Sequence, residues 1–259
     1  MLLEEFDPSQ VAVFNPATAH QLVPGMPRVA VSCFSYVTFN RLVQALDAQP
    51  IARMKTASQE FPVYKANHRG TDVALYLSGV GAPVCVGSLE EIFVMGVETV
   101  VLFGTCGVLD KDIADCSIIL PTSALRDEGT SYHYAPPGDE IQVNLHHREV
   151  FTGLMEEMGI RYTQGPCWTT DAMYRETREK VERRKARGCI CVDMECASCA
   201  AVAQFRGKEV LQFFYAADNL DSEAWDARSL SNNAMVEEKD RIALLALELA
   251  VRIAKKKGE

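Results

Sequence analysis

Short apolar runs alternate with helical patterns from residue 28 onward. The strand candidates are nearly all apolar, as in strands buried on both faces of a sheet: Arg28–Cys33, Val73–Leu77, Thr99–Phe103, Ser117–Leu120, Cys189–Val192 and Glu209–Tyr215. Helical spacing predicts helices over Val37–Ala48, Val84–Met95, His147–Met158, Glu176–Arg187, Cys196–Phe205 and Asn233–Lys256. Gly96, Gly159 and Gly207 stand where three of these helices are expected to end. The alternation predicts a single α/β domain over residues 28–259, with a central, mostly parallel β-sheet flanked by helices.

Two segments depart from this alternation. Residues 1–27 contain prolines at positions 8, 16, 24 and 27 and predict an N-terminal arm that lies on the domain or on a neighbouring molecule. The stretch Leu125–Asn144 is rich in Gly, Pro, polar and aromatic residues and predicts a long loop or a hairpin. Long loops in compact domains are often functional.

Composition and charge narrow the functional classes. The 259 residues are 48% hydrophobic and 24% charged, which excludes a disordered or collagen-like chain. The net charge of −9 disfavours a nucleic-acid-binding surface. No apolar stretch approaches the roughly 20 residues of a membrane helix, and the N-terminus carries acids where a signal peptide carries bases. We therefore expect a cytoplasmic protein without nucleic-acid or membrane partners.

The nine cysteines predict reduced core thiols, because their number is odd and most lie within apolar runs. Cys196 and Cys199 have CxxC spacing, but no second pair or histidine follows at the spacing of a zinc site. A structural role is therefore favoured over a redox or metal site, and no metal is predicted.

Glycines follow two of the candidate strands, at the edge where parallel sheets bind ligands. Gly79 and Gly81 precede a helix and indicate either an anion-binding loop or a tight turn. Gly104 and Gly107 follow the next strand and enclose the hydroxyl of Thr105. Two such loops in one sheet favour a pocket for an anion or a sugar.

Acidic and aromatic residues stand at the same edge. Glu195 opens a helix, so it either interacts with the helix dipole or accepts two sugar hydroxyls. Asp218 stands at the end of an apolar strand. Its side chain either forms an Asx turn with the nearby backbone or acts as a general acid with a raised pKa. Trp168, Met173 and Tyr174 suit contact with a heterocycle, although aromatic residues also fill cores.

Four ordered motifs resemble the nucleoside phosphorylase-I family, which contains purine nucleoside phosphorylases, uridine phosphorylases and methylthioadenosine nucleosidases. They are Ser78–Pro83, Gly104–Gly107, Asp193–Glu195 and Ala217-Asp218, and the resemblance runs from about residue 28 to about residue 256. It implies a mixed sheet that curls towards a barrel. It also implies a pentosyltransferase that cleaves the N-glycosidic bond of a nucleoside with inorganic phosphate as co-substrate and without a cofactor.

The same resemblance implies roles for individual residues. Glu195 would bind the ribose 2′- and 3′-hydroxyls, Met194 would pack against the sugar, and Asp218 would protonate N7 of a purine leaving group. Uridine phosphorylases usually lack this acid, so a purine is favoured, although the loop Gly129–Pro136 is more similar to uridine phosphorylases. The resemblance also places Met173 and Tyr174 at contacts with the base and the sugar, Arg228 as a helper of Asp218, and His20 of a neighbouring subunit in a dimer-based homo-oligomer, up to a hexamer. Gly104, Thr105 and Trp168 complete the predicted contacts with the substrate.

The phosphate site departs from the family pattern. Phe34–Thr38, Gln59 and Leu102 stand where the family has a phosphate loop and arginines. Guanidinium groups are the usual clamp for a phosphate dianion. Phosphate would then be held by Gly79, Gly81 and Thr105, together with a basic residue from the set Arg41, Arg53, Lys55 and Arg126. The alternatives are a nucleosidase that uses water, although its usual carboxylate base is also missing, and a non-catalytic nucleoside-binding protein.

Overall fold

The structure is a computed structural model that describes residues 2–231 and 233–258. Met1 and Glu259, the outer ends of the predicted arm and domain, lie outside the described residues. Within the described residues the strands are β1 (Val29–Cys33), β2 (Gln49–Lys55), β3 (Glu60–His68), β4 (Thr71–Leu77), β5 (Thr99–Val108), β6 (Ile118–Asp127), β7 (Glu140–Gln142), β8 (Tyr162–Thr170), β9 (Cys191–Asp193) and β10 (Glu209–Asn219). The helices are α1 (Pro16–Ala19), α2 (Tyr36–Ala45), α3 (Ala82–Val94), α4 (Arg148–Met158), α5 (Arg178–Ala186), α6 (Cys196–Arg206) and α7 (Val236–Gly258).

The sheet is mixed and partly closed. Strands β4, β1, β5 and β10 run parallel, in that order, through its centre. Strand β10 also pairs with β6, and the path β6–β8–β9–β5 returns to β10, so five strands close into a barrel. Strands β3 and β2 extend the open edge as an antiparallel ribbon. This confirms the predicted α/β class with a barrel-like sheet flanked by helices.

The central strands are apolar on both faces because helices cover both sides of the sheet. In β5, Val101 and Phe103 pack in one cluster with side chains of α2, α4 and α7. Val100 and Leu102 pack on the opposite face with side chains of α3 and α6. The side chains of a strand alternate between its faces, so successive residues supply two separate cores. Helices pack against both faces of these strands, so the positions of the residues at the carboxyl ends of the strands are well defined.

Glycine ends two helices as predicted. Gly159 follows α4 with φ +64° and Gly207 follows α6 with φ +61°. This left-handed conformation has little strain for a residue without a Cβ atom. Each helix therefore stops one turn before the next strand begins.

The apolar pattern misses four strands. Strands β2 and β3 form the exposed ribbon and carry polar residues on one face, and β8 includes Gln164 and Gly165. The segment Leu125–Asn144 is a hairpin, because β7 pairs antiparallel with β6. A single 3-10 turn, Thr130–His133, lies between these two strands.

The arm lies on the domain. The N–H of Val23 donates to the carbonyl of Met95 at 3.0 Å, and the side chain of Gln10 donates to the carbonyl of Phe205 at 3.0 Å. Val13 and Phe14 are exposed. The boundary predicted at residue 27 stays a prediction. None of the helices in 2–231 and 233–258 is long and apolar enough to cross a membrane.

The nine cysteines are free thiols, and Cys116 is the one that is not fully buried. Cys199 lies in α6 with its Sγ atom 3.5 Å from Sγ of Cys85 in α3. Both side chains are fully buried in the apolar cluster between these helices. Cys196 is buried in a neighbouring apolar cluster, so both cysteines of the CxxC spacing pack as small core residues.

Candidate active site

A cavity of about 690 Å³ opens at the carboxyl ends of β5, β9 and β10. Strands β5 and β10 run parallel, and ligands bind beyond the carboxyl ends of parallel strands. Strand β9 runs antiparallel to β5, and its pairing with Gly107 and Val108 brings its carboxyl end to the same cavity. Apolar side chains and several carboxyl groups share the lining, which consists of Phe34, Val80, Thr105, Cys106, Gly107, Met173, Tyr174, Glu176, Arg178, Val181, Val192, Asp193, Met194, Glu195, Asp218, Leu220, Trp225 and Leu230.

Glu195 is fixed at one end of this cavity by two backbone contacts. Its Oε1 accepts a hydrogen bond of 2.5 Å from the N–H of Gly81, in the loop between β4 and α3. Oδ2 of Asp193 accepts from the N–H groups of Glu195 (2.9 Å) and Cys196 (2.6 Å), which caps the start of α6. Gly81 has φ +99°, a conformation that L side chains rarely adopt. The glycine after β4 is therefore needed to bring the loop to the carboxylate.

Asp193, which ends β9, and Glu195 are both held in an environment that disfavours negative charge. Burial raises the pKa of Glu195 to about 8, and the charge of Asp193 adds to the rise. Burial also raises the pKa of Asp193 to about 6, although the N–H of Glu195 and the hydroxyl of Thr169 lower it. A buried carboxylate gains from further hydrogen-bond donors. Two hydroxyl groups of a sugar would supply such donors to Glu195.

Asp218 lies at the end of β10 with its two oxygens in different surroundings. Oδ2 accepts a hydrogen bond of 2.9 Å from the indole N–H of Trp225. Oδ1 faces Gly107, where an added Cβ atom would lie 3.3 Å from this oxygen and 2.4 Å from Cδ1 of Leu220. The absence of a side chain at Gly107 therefore lets Asp218 and Leu220 pack closely against β5 at the wall of the cavity.

Glu176 is a second carboxyl group near Asp218, and the sequence patterns did not single it out. Burial raises the pKa of Glu176 to about 7, and the charge of Asp218 contributes to the rise. Thr177 is the N-cap of α5, because its side chain accepts from the N–H of Lys180 at 3.4 Å. The helix therefore begins at Arg178, and Glu176 precedes it at the cavity wall. An N-cap threonine at position 177 was the sequence signal for this placement.

Arg178 was also missed. Its guanidinium donates to the carbonyl oxygens of Leu220 (2.8 Å) and Ser222 (2.6 Å). These residues belong to the loop that follows β10 and carries Trp225. Arg178 therefore joins the start of α5 to that loop.

Most of the predicted substrate contacts lie at the cavity. The lining includes Thr105, Met173, Tyr174, Met194, Glu195 and Asp218. A Cβ atom at Gly104 would lie 2.7 Å from Cδ2 of Phe34, so this glycine allows the lining ring of Phe34 to approach. Gly79 and Gly81 flank Val80, which is also part of the lining. The four motifs thus meet at one cavity.

Three predicted site residues point elsewhere. Trp168 is fully buried, and its indole N–H donates to Oδ2 of Asp127 at 3.0 Å, so it packs in the core instead of meeting a base. Arg41 forms an ion pair with Asp240 in α7. Arg126 is buried, and its guanidinium donates to Ser131 Oγ and to the carbonyl groups of residues 135 and 136. The expected phosphate contacts of both arginines do not fit these positions, because their hydrogen bonds hold other parts of the chain.

Arg228 and His20 are also engaged outside the lining. Arg228 donates to the carbonyl of Ile113 at 2.8 Å, so Trp225 has the contact with Asp218 that was expected of Arg228. Nε2 of His20 lies 3.0 Å from Oε2 of Glu91, in α3 of its own chain. Its contact with a neighbouring subunit stays a prediction.

Positive charge is scarce around the cavity. Arg178 is the one basic side chain among the described residues of its lining. An oxyanion would therefore depend on the hydroxyl of Thr105 and on the N-terminus of α3, where the first N–H groups have no partner within the helix. Within residues 2–231 and 233–258, no group of three or more His, Cys, Asp or Glu side chains is arranged to hold a metal ion.

Comparisons with known proteins show which family and fold this chain shares. Residues 28–254 match the sequence model of the Phosphorylase superfamily. A guanosine phosphorylase of Halorubrum lacusprofundi is 26% identical over 207 residues, which are 80% of this chain and 77% of that protein. A purine nucleoside phosphorylase of Bacillus cytotoxicus is 24% identical over 199 residues, 73% of this chain and 80% of that protein. The crystal structure of a uridine phosphorylase from Vibrio fischeri has the same fold, with a TM-score of 0.75 at 20% identity over 90% of this chain and 98% of that chain.

Proposed function

The chain belongs to the Phosphorylase superfamily, and on this premise we propose that it is a nucleoside phosphorylase acting on purine ribonucleosides. The reaction yields the free base and ribose-1-phosphate, which makes the enzyme a pentosyltransferase. Inorganic phosphate is the co-substrate, and the reaction needs no metal ion or organic cofactor. The observation that carries the proposal is that Glu195 and Asp218 line the same cavity.

The sugar is bound at Glu195. Cleavage of the C1′–N9 bond passes through a sugar with oxocarbenium character, so the enzyme must hold the ribose while positive charge develops. The carboxylate of Glu195 accepts the 2′- and 3′-hydroxyls, and Met194 packs against the ring. The contact between Glu195 and Gly81 keeps this carboxylate at the wall of the cavity.

The base leaves with a proton from Asp218. The electron pair of the C1′–N9 bond moves into the imidazole ring of the purine, and the proton of Asp218 passes to N7. Asp218 ends the step as a carboxylate, and phosphate forms the new C1′–O bond from the opposite face. Proton transfer by a positioned side chain contributes about 10²–10⁴-fold to a rate.

Glu176 supports a preference for 6-oxopurines. Glu176 and Asp218 both line the cavity, and the charge of Asp218 contributes to the raised pKa of Glu176, so a base bound there would lie within reach of both carboxyl groups. An ionised Glu176 accepts from N1–H of hypoxanthine and from N1–H and the 2-amino group of guanine. Adenine has an acceptor at N1 and offers no such donor. Guanosine and inosine are therefore the expected substrates, and the similarity to a guanosine phosphorylase supports guanosine.

The scarcity of positive charge favours hydrolysis as a second candidate function. Arg178 is the one basic residue in the described lining, and its guanidinium is bonded to the loop after β10. A site without a free guanidinium binds a phosphate dianion weakly. Water would then replace phosphate as the nucleophile and free ribose would form.

We expect a homo-oligomer built from dimers and located in the cytoplasm. The arm supports association, because Val13 and Phe14 expose apolar side chains. Isolated apolar residues on a surface are common, but a cluster on an extended arm is typical of a contact between molecules. Light scattering of the purified chain measures the oligomeric state.

The test is base release with and without phosphate. The purified protein is incubated with guanosine, inosine, adenosine or uridine, and the base and sugar products are identified. We expect guanine and hypoxanthine together with ribose-1-phosphate, in phosphate buffer only. Free ribose in phosphate-free buffer would establish hydrolysis instead. Tight nucleoside binding without turnover would contradict both activities and leave a binding protein.

A further inference from the structure

We propose that Trp225 is the positioning residue of the general acid: its indole N–H fixes Oδ2 of Asp218, so that the proton for the base is carried on Oδ1. This inference rests on the proposed function. The sequence patterns assigned the helper role to Arg228, whose guanidinium donates instead to the carbonyl of Ile113.

The hydrogen-bonding chemistry of indole decides which oxygen carries the proton. The N–H of Trp225 lies 2.9 Å from Oδ2, and an indole nitrogen donates but does not accept. A proton on Oδ2 would therefore compete with the N–H for the same oxygen. The proton is therefore favoured on Oδ1, which lies beside Gly107 in the lining of the cavity.

The loop that carries Trp225 is held on both sides. Asn219 and Asp226 pair as a bridge, with N–H to carbonyl distances of 2.8 and 3.3 Å. Arg178 donates to the carbonyl groups of Leu220 and Ser222 between them. The loop geometry therefore places the indole N–H at the carboxylate.

Core packing does not account for Trp225, because 63% of its surface is exposed. The contact with Asp218 is the polar contact of its side chain, and the ring forms part of the cavity wall. A large exposed ring whose N–H reaches a carboxylate inside a cavity is typical of a functional residue rather than of a core residue.

A neutral donor suits an acid that must be protonated before each turnover. A guanidinium beside Asp218 would favour the ionised carboxylate, whereas an indole adds no net charge. When the proton passes from Oδ1 to N7, the negative charge appears on the carboxylate and the existing hydrogen bond from Trp225 becomes charge-assisted. The donor is thus already aimed at the place where charge develops.

The experiment compares guanosine with 7-methylguanosine, whose N7 carries a methyl group and needs no proton to leave. Trp225→Phe keeps an aromatic ring and removes the N–H. We expect its kcat on guanosine to fall about tenfold, the effect of one hydrogen bond to a charged group, with less than about a twofold change on 7-methylguanosine.

Trp168→Phe is the matched control. It removes the same indole N–H, but from a residue that donates to Asp127 in the core. Its ratio of rates on the two substrates is expected to equal that of the wild type. Because each ratio is measured on one preparation, a variant that is partly unfolded lowers both rates equally and leaves the ratio unchanged.

The outcomes separate this inference from the function beneath it. Wild-type protein that releases no purine base contradicts the proposed function. A different outcome overturns the positioning role of Trp225. In it the wild type is active, and the Trp225→Phe variant loses rate equally on guanosine and 7-methylguanosine or loses rate on neither.

Discussion

The N–H of Gly81 donates a hydrogen bond of 2.5 Å to Oε1 of Glu195, which joins the loop after β4 to the acid that opens α6. The same loop precedes the N-terminus of α3, where we expect phosphate to bind. The hydrogen bond therefore fixes the position of the carboxylate that binds the sugar relative to the backbone N–H groups that we expect to bind phosphate.

Replacing Glu195 by Ala is expected to lower kcat/KM on guanosine by about 10²-fold, because two hydrogen bonds to a charged group are lost. Steady-state kinetics on guanosine checks this. Glu157→Ala, which removes an exposed acid of α4, is the control and should keep wild-type rates. Unchanged kcat/KM in the Glu195→Ala variant would remove this residue from the site.

Asp218→Asn keeps the shape of the side chain and removes the proton donor. We expect kcat on guanosine to fall by about 10²-fold or more, within the range of general-acid catalysis. Asp112→Asn, at an exposed position, serves as the control. If the Asp218→Asn variant cleaves purine nucleosides at the normal rate, another group must protonate the base.

Residues at strand ends could be found from the sequence because position along the chain and position in the fold coincide there. Asp218 lies at the end of β10, which runs parallel to β5, and Glu195 comes shortly after β9, whose pairing with the last residues of β5 brings its carboxyl end to the same cavity. Strands β2, β3 and β8 were missed because their polar residues break the apolar pattern of a strand buried on both faces.

Side-chain direction could not be predicted in the same way. Arg41 and Arg126 were selected by charge, but one pairs with Asp240 and the other bonds to the carbonyl oxygens of its own loop. Glu176 lies just outside α5, which begins two residues later than its helical pattern indicates. Trp225 lies in a polar loop, and no periodic pattern shows which acceptor an indole N–H will reach.

Glu176 is expected to make base preference depend on pH. Burial and the charge of Asp218 raise the pKa of Glu176 to about 7, while the charge of Lys180 lowers it. Above this pH the carboxylate accepts from guanine, and below it the protonated acid donates to N1 of adenine. The ratio of kcat/KM for guanosine to that for adenosine should rise up to about tenfold between about pH 6 and 8.

The ratio is informative because titrations that affect both substrates cancel. Glu176→Gln should give a ratio that no longer depends on pH. A wild-type ratio that is constant across this range would exclude a contact between Glu176 and the edge of the base.

Glu209 is expected to control stability in acid. Burial alone would raise its pKa, but hydrogen bonds from Lys257, Thr99 and His147 outweigh burial and lower the pKa to about 2. A carboxyl whose pKa is lowered on folding stabilises the fold above its unfolded pKa of about 4.3, and this stability is lost as the pH falls towards 2.

Glu209→Gln should therefore lower the free energy of unfolding at pH 7 by roughly 2 kcal/mol, after allowance for partial exposure, and flatten the loss of stability below about pH 4. Urea unfolding across this pH range measures both effects. Glu182→Gln, at an exposed position of α5, is the control. If the free energy of unfolding falls equally with pH below about pH 4 in the Glu209→Gln variant and in the wild type, the lowered pKa is contradicted.

The most direct test of the account compares Glu195→Ala and Asp218→Asn on three substrates: guanosine, 2′,3′-dideoxyguanosine and 7-methylguanosine. If the two acids act on opposite ends of one nucleoside, each variant should match the wild type on the substrate that lacks its partner group. Glu195→Ala should then equal the wild type on the dideoxynucleoside, and Asp218→Asn should equal it on 7-methylguanosine, while both fall about 10²-fold on guanosine. Equal losses of both variants on all three substrates would contradict this division of roles.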